Sequence, residues 1–357
     1  MDHRGLPQLI AIACIFVILA GLKSAEAIVI PILLAFFIAI ISTPFLRLMT
    51  SRGVPSWIGI IVVLTVLFTA GTGLFLVVSQ SVNTLLIKMP EYQERLQELI
   101  ISVLPLLESM NLPVNRQMLL DLVNPSSVMG LMGQTLSTLK GMLTFTFLVI
   151  FIVIFILMEE ATFSHKLKIA LPKANETIEM ASNFIQRVNK YLLIKTSISF
   201  VTGLLVTVWL MILGVDFPIL WGLIAMLMNF IPNIGSLIAA IPAVLLAILQ
   251  LGINEASLVA LGYLVINVMM GNLIEPRLMG KGLGLSPLVV FLSLITWGWL
   301  FGIVGMFLSI PLTMIVKIAL EQFPGTLWIA IMLGNEAPPK KELPKRSAKQ
   351  LEDIKDA

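Results

Sequence analysis

This sequence is poor in charge. Of its 357 residues only 12% are Asp, Glu, Lys or Arg, while 58% are hydrophobic; an ordinary soluble domain carries about twice that charged fraction. A soluble fold of this size has no interior large enough to hide so much apolar surface. Cysteine is almost missing as well: Cys14 stands alone, so no intrachain disulfide can form, and its place in the first apolar run reads as a small core or lipid-facing residue. The two histidines, His3 and His165, lie apart at loop positions and offer neither a metal pair nor a catalytic base. No Ser/His/Asp arrangement, zinc spacing or paired-carboxylate site is present, so no enzyme, metal site or cofactor is expected. The net charge of +3 is small and its bases are scattered over loops and tail, which argues against nucleic acid as a partner.

The gaps between charges say more than their number. No Asp, Glu, Lys or Arg falls within 5–22, 27–46, 53–87, 141–158, 196–215, 217–254, 256–274 or 282–316. A membrane span takes about 20 such residues, and an ionised group at the bilayer centre costs roughly 2.5–3.5 kcal/mol on insertion. Repeated uncharged windows this long are explained by a lipid bilayer. The expected class is therefore all-α: a polytopic integral membrane protein of about six to eight transmembrane helices, with two re-entrant helical hairpins and a helical extramembrane insert. The first residues have the outline of a signal peptide, with His3 and Arg4, an apolar stretch to Leu22, and Ala25-Glu26-Ala27. A second apolar run follows at once, so residues 6–46 read more economically as a helical hairpin turning at Lys23 to Glu26.

Residues 1–78 divide into three spans near 6–22, 27–48 and 54–78, with Arg47 and Arg52 marking a cytoplasmic connection. Residues 79–140 are expected to form a helical periplasmic or interfacial insert. Within it Glu91, Glu94 and Glu98 share one helical face, opposite Leu96, Leu99, Ile100 and Val103. A fourth span, 141–158, leads to a cytoplasmic amphipathic segment, 159–195, where Lys166, Lys168, Lys173, Arg187, Lys190 and Lys195 outnumber the acids. Residues 196–318 form a transmembrane core of broken helices. The tail, 319–357, is expected to be cytoplasmic and largely disordered. This arrangement leaves both termini in the cytoplasm.

Two uncharged stretches are too long for one span. Residues 217–254 are interrupted by Asn229, Pro232, Asn233, Gly235 and Ser236, where proline removes a backbone donor and glycine permits a tight turn. Each piece then spans about 14 residues, or about 21 Å, short of a hydrocarbon core of about 30 Å. A re-entrant hairpin fits better than two crossings. Residues 282–316 carry Gly298, Gly302 and Gly305 near the middle and read as a second hairpin with those glycines as its hinge. Six crossings plus two hairpins place Arg277 and Lys281 in the cytoplasm, which counting each stretch as one crossing does not.

Irregular backbone at membrane depth survives only when buried in protein or lining a wet cavity. The candidate solute pathway is therefore Asn229, Pro232, Asn233, Gly235 and Ser236, joined by Asn267 and Asn272; the alternative is that these amides only cap broken helix ends. Glu275 and Arg277 straddle Pro276 and could gate a pathway or take up a proton, or form an interfacial structural pair. Asp216, beside the first hairpin, is either a proton or cation site or a solvated turn residue. Trp297 and Trp299 belong to an interfacial belt or pack inside the second hairpin. The glycine run 280–284 lacks the spacing of a phosphate loop and follows a membrane helix, so nucleotide binding there is rejected.

Three segments carry a family resemblance: IPNIGSLIAAIPAVLLAIL at 231–249, GNLIEPRLMGKGLGLSPLVVFLSL at 271–294 and WGWLFGIVGMFLSIPLTMIVKIALEQ at 297–322. In these, and over nearly the whole chain, the sequence resembles the autoinducer-2 exporter (PerM) family of membrane permeases. The resemblance implies export of autoinducer-2, a small furanosyl polyol used in quorum sensing, across a bacterial inner membrane, with effects on biofilm formation. It also implies a homo-oligomer, a pentamer. Some members are linked to sodium or lithium exchange for protons. The residues themselves favour a secondary transporter holding a neutral polar solute between the hairpins. They speak against cation/proton antiport, since neither hairpin contains a carboxylate. A membrane scaffold docking through residues 79–140 would have no use for helix breaks at membrane depth.

Overall fold

The computed structural model describes residues 6–109, 145–159, 166, 169, 174–232, 235–279, 284–323 and 325–335. The expectations for residues 110–140 of the insert, 141–144 of the fourth span, most of 160–173, Asn233, Gly280 to Gly282 and most of the tail lie outside them. Among the described residues the chain is helical, without a strand. In order come α1 (Leu6–Ser24), α2 (Glu26–Ser51), α3 (Ser56–Ser109), α4 (Phe145–Glu159), α5 (Ala174–Leu213), α6 (Pro218–Met228), α7 (Gly235–Leu251), α8 (Ile253–Met279, with a π-helical segment at Val268–Ile274), α9 (Pro287–Phe307), α10 (Ser309–Glu321) and α11 (Leu327–Met332). Five stretches are long and apolar enough to cross a membrane: Glu26–Ser51, Ser56–Glu98, Ile185–Leu213, Ile253–Met279 and Pro287–Phe307. The protein is thus an all-α, polytopic membrane protein. Its outward faces fit that solvent, with Phe147 stacked on Phe151 and Phe151 edge-on to Phe155 along the exposed side of α4.

Two junctions differ from the sequence-based expectations. Between α1 and α2 only Ala25 departs from helical geometry (φ −92°, ψ 9°), with i→i−4 bonds on either side to Gly21 and from Val29. The chain bends there rather than turning back, because an antiparallel connection takes about 2–5 residues. Lys23 and Glu26, 2.6 Å apart, pair across the bend. α3 likewise runs without interruption for 54 residues, about 80 Å, so no backbone break marks the change of composition at 78/79.

Three clusters hold the helices together. Ala35, Ala39, Val63, Val149 and Val153 join α2, α3 and α4. Phe37 and Ile40 of α2 meet Val188 and Leu192 of α5 and Leu300, Ile310 and Leu312 of the α9–α10 region. A third cluster is built largely from small residues: Ala225 of α6, Ala239, Ala243 and Ala247 of α7 and Ala256 of α8, with Val206 and Leu210 of α5. Small side chains at four-residue intervals let backbones approach closely, which is how helices associate when lipid tails are as apolar as the core. Gly203 and Gly222 face one another across α5 and α6, and Gly262 lies under the Trp209 ring; a methyl group at any of them would clash.

Both overlong stretches are broken. α6 has 11 residues and α7 has 17, about 16 and 25 Å, and they meet at a tip where a Cβ on Gly235 would run into the Met228 carbonyl. In α9 the helix stops at Phe301 (φ −126°, ψ 17°) and Gly302 (φ 61°, ψ −144°). The chain reverses there: a Cβ at Gly298 would lie 2.9 Å from Met306, and Trp297 Nε1 donates to Thr313 Oγ1 at 2.9 Å. Trp297 therefore packs inside the second hairpin, stacked on Phe301, while Trp299 points outward, 59% exposed.

Gly302 occupies a backbone region closed to L side chains. Gly302→Ala and Gly235→Ala are each expected to lower stability by about 1–3 kcal/mol. Gly73→Ala, where nothing lies within 4 Å of the new methyl, is expected to be neutral or to gain up to about 1 kcal/mol of helix propensity. Thermal unfolding in detergent reads all three.

Candidate functional site

The tip of the first hairpin does not stand alone. It lies against α5 and the π-helical part of α8, and the three enclose a cavity of about 190 Å³ lined by Asn229, Pro232 and Ser236 from the tip, Asn267, Gly271 and Asn272 from α8, and Lys195 and Glu275. Five of the seven pathway candidates thus converge, from segments some 40 residues apart. Gly235 packs beneath the tip, fully backed by Met228 and Ile231, and Asn233 is outside the described residues.

Each wall has a local cause. Pro232 and Gly235 end α6 and start α7, leaving Ile231 N–H bonded to the Met228 carbonyl in a single turn. Asn229 is buried and donates through Nδ2 to Ser199 Oγ at 3.0 Å, tying the tip to α5. On the opposite wall the helix widens to π geometry over Val268–Ile274. A π segment inserts an extra residue per turn and is common at functional sites; here it carries Gly271 and Asn272 along the cavity, with Asn267 and Glu275 at its two ends.

The electrostatic centre is a pair that sequence reading did not foresee. Lys195 Nζ donates to both Glu275 carboxylate oxygens, at 2.8 and 2.9 Å, with side-chain exposures of 4% and 19%. The expected partner, Arg277, is exposed and has no ion pair among the described residues. Two residues beyond Glu275, about 200° around the helix axis, it does not line the cavity. Lys195 had been counted among loop bases; one clue to its place was its position immediately before an uncharged stretch, four residues from Ser199 on the same helical face. A charge so situated at a membrane-facing helix needs a counter-charge, and Glu275 is the one acid in the 256–316 region.

Asp216 lies elsewhere. Its carboxylate accepts from Lys88 Nζ at 2.6 Å and Tyr92 Oη at 2.5 Å, its N–H donates to Gln250 Oε1 at 2.8 Å, and its carbonyl accepts from Trp221 Nε1 at 3.0 Å. Arg95 adds a bond to the Gln250 carbonyl. The group clamps α3 to the α5–α6 turn and to the end of α7, and holds Phe217 in left-handed geometry (φ 59°). Burial opposes the charge on Asp216, but the Lys88 and Tyr92 hydrogen bonds outweigh it and hold its carboxyl below the usual carboxylate range. Its side-chain and backbone bonds make Asp216 a structural tie between these elements. Gly298, Gly302 and Gly305 belong to the second hairpin and do not line the cavity. No group of three or more His, Cys, Asp or Glu placed to hold a metal occurs among the described residues.

Residues 6–325 match the family described as AI-2E family transporter. The chain is 39% identical over 332 residues to the AI-2 transport protein TqsA of Escherichia coli K12, covering 93% of this chain and 96% of that one. A Haemophilus influenzae protein named "Putative transport protein" is 39% identical over 93% of this chain and 97% of its own length. A second Escherichia coli K12 relative, "Putative transport protein YhhT", is 35% identical over 96% and 98%.

Removing one partner of a buried ion pair leaves the other uncompensated, at a cost of about 3–5 kcal/mol. Lys195→Met and Glu275→Gln should each lower the unfolding midpoint, and Lys195→Met combined with Glu275→Leu should regain most of the loss. Midpoints of the single variants equal to wild type would show the pair to be energetically idle. The Asp216 clamp contributes stability that is complete above the unfolded carboxylate value of about 3.9 and is lost as pH falls through the lower folded value. Asp216→Asn should therefore flatten the acid limb of the stability profile followed by circular dichroism, leaving its neutral portion lower than wild type.

Proposed function

From the premise that this chain belongs to the AI-2E transporter family, we propose that it exports a small neutral polar solute, autoinducer-2, across a bacterial inner membrane, and that the cavity at Asn229, Asn267 and Asn272 is where the solute rests. The observation that carries this reading is a polar cavity of about 190 Å³ between broken helices. At about 30 Å³ per water it offers the space of roughly six water molecules, below the range of about 300–1,000 Å³ typical of sites for drug-sized ligands. Asparagine side chains both donate and accept, matching a polyol whose hydroxyls do the same. A hydroxyl leaving water without such a partner loses about 2–7 kcal/mol, so amides at this depth decide which solutes enter. The relative named for AI-2 transport supports the choice of solute.

In this reading the tip of the first hairpin and the π segment form opposing walls, and exposure alternates as one moves against the other. Gly302 and its neighbours let the second hairpin follow. Lys195 and Glu275 bond to one another when the cavity is empty and turn donors or acceptors toward solute hydroxyls when it is filled. The same proposal includes cytoplasmic termini, a periplasmic insert at 79–140, a cytoplasmic segment from 159 up to the Ile185–Leu213 stretch and a pentameric homo-oligomer; basic residues support the orientation, and family resemblance supports the oligomer.

One observation favours a second reading. Glu275 does bring a carboxylate to the tip of the first hairpin, which was the feature missing for cation/proton antiport. A cation would have to displace the Lys195 ammonium, 2.8 Å away. Reconstituted protein assayed for autoinducer-2 flux, and separately for sodium-driven proton movement, distinguishes the two. Asn229→Ala with Asn267→Ala is expected to cut solute flux at least about tenfold, the loss of roughly one or two hydrogen bonds, with no sodium response in either protein. Wild-type vesicles that exchange sodium for protons and carry no solute would reverse the assignment.

A further inference from the structure

A second cavity, of about 360 Å³, lies where α5, the end of α8 and α10 converge, and it shares no lining residue with the first. Arg187 and Lys190 come from α5 and Lys317 from α10, three bases against the single acid Glu321. Lys317 Nζ donates to the Gly284 carbonyl at 2.6 Å, and its approach to Glu321 is a loose 3.9 Å. Arg187 and Lys190 are exposed and have no hydrogen bond or ion pair among the described residues. Three residues apart, they share one helical face, where like charges repel. An anion between α5 and α10 would relieve that repulsion.

Besides Gly284 and the buried Tyr191, the rest of the lining is apolar: Met279, Met314, Ile194 and Ile318. Just outside it, Leu193, Leu278 and Val316 are 37%, 53% and 40% exposed. Basic side chains at the mouth of an apolar recess between membrane helices match an amphiphile with an anionic head, as in basic pockets that hold acidic lipid head groups. A guanidinium beside two ammonium groups favours phosphoryl oxygens, which it can engage through two parallel bonds. We infer that this cavity binds a phosphoryl group, supplied by the phosphodiester of an anionic lipid whose chains lie along the methionine and isoleucine wall. The proposal does not depend on what the first cavity carries. Its consequence is mechanical, since the lipid bridges α5, which bears Lys195, to α10, the return limb of the second hairpin.

The test uses the full chain purified in detergent, with phosphatidylglycerol, phosphatidylcholine or inorganic phosphate added, and binding read by native mass spectrometry. Wild type should prefer phosphatidylglycerol to phosphatidylcholine. Arg187→Gln combined with Lys190→Gln should weaken phosphatidylglycerol binding about 30-fold, as expected for two near-surface bases, while Arg52→Gln, in the α2–α3 turn, leaves it unchanged. Both lining residues are exposed, so the double variant should keep the wild-type unfolding midpoint without lipid. Inorganic phosphate that displaces the lipid supports the phosphoryl chemistry; phosphate that binds while phosphatidylglycerol does not assigns the cavity to a soluble phosphate ester. Equal affinity for the two lipids with no phosphate binding, full lipid binding by the double variant, or an equal loss in Arg52→Gln would overturn the proposal.

Discussion

A peptide group released from its helix inside hydrocarbon has no water to bond, and each one left unpaired costs several kcal/mol. That constraint shapes this protein more than any other. Three irregular segments lie within apolar stretches: the tip after α6, the Phe301–Gly302 reversal and the π segment of α8. Each has a residue buried in protein: Ile231 at the tip, Phe301 at the reversal and Met270 in the π segment. The tip and the π segment face one another across a shared polar cavity, so the groups freed by one irregularity border those freed by the other. The second reversal turns inward on itself, with Trp297 bonded to Thr313 and its ring against Phe301.

The two principal ion pairs follow from the same scarcity of solvent and end in different roles. Lys88 and Asp216 are joined by Tyr92, Gln250 and Trp221, which supply further bonds to the Asp216 side chain and backbone, so the arrangement is a multiply tied joint. Lys195 and Glu275 have only each other and the cavity. A pair with unfilled hydrogen-bonding capacity beside an open polar space can exchange partners, which is what a binding site needs and a joint does not.

Packing makes the short helices tenable. α6 is too brief to be held by its own hydrogen bonds, and it is kept in place by Gly203 and Gly222 meeting across α5 and by the alanine row of α7. Larger side chains would gain apolar contact and lose the close approach that positions Asn229 against Ser199. The small residues therefore serve the geometry of the cavity as much as the stability of the bundle.

Asn229, Pro232, Ser236, Asn267 and Asn272 were legible as candidates because polar and helix-breaking residues stand out against uncharged runs of 38 and 19 residues (217–254 and 256–274). The membrane class and the two backbone breaks were legible for the same reason: insertion energetics and proline and glycine sterics act locally, residue by residue. Lys195 was not, since its counter-charge is 80 residues away and loop counting assigned it to the cytoplasm. Nor were the pairing of Asp216 with Lys88 at a separation of 128 residues, the bend at Ala25, or the unbroken run of α3. Composition and periodicity thus determined which segments are apolar enough for lipid and where their helices must break. Which of the polar groups meet was decided only by tertiary packing, because ion pairs and cavity walls depend on distances in space that sequence separation does not encode.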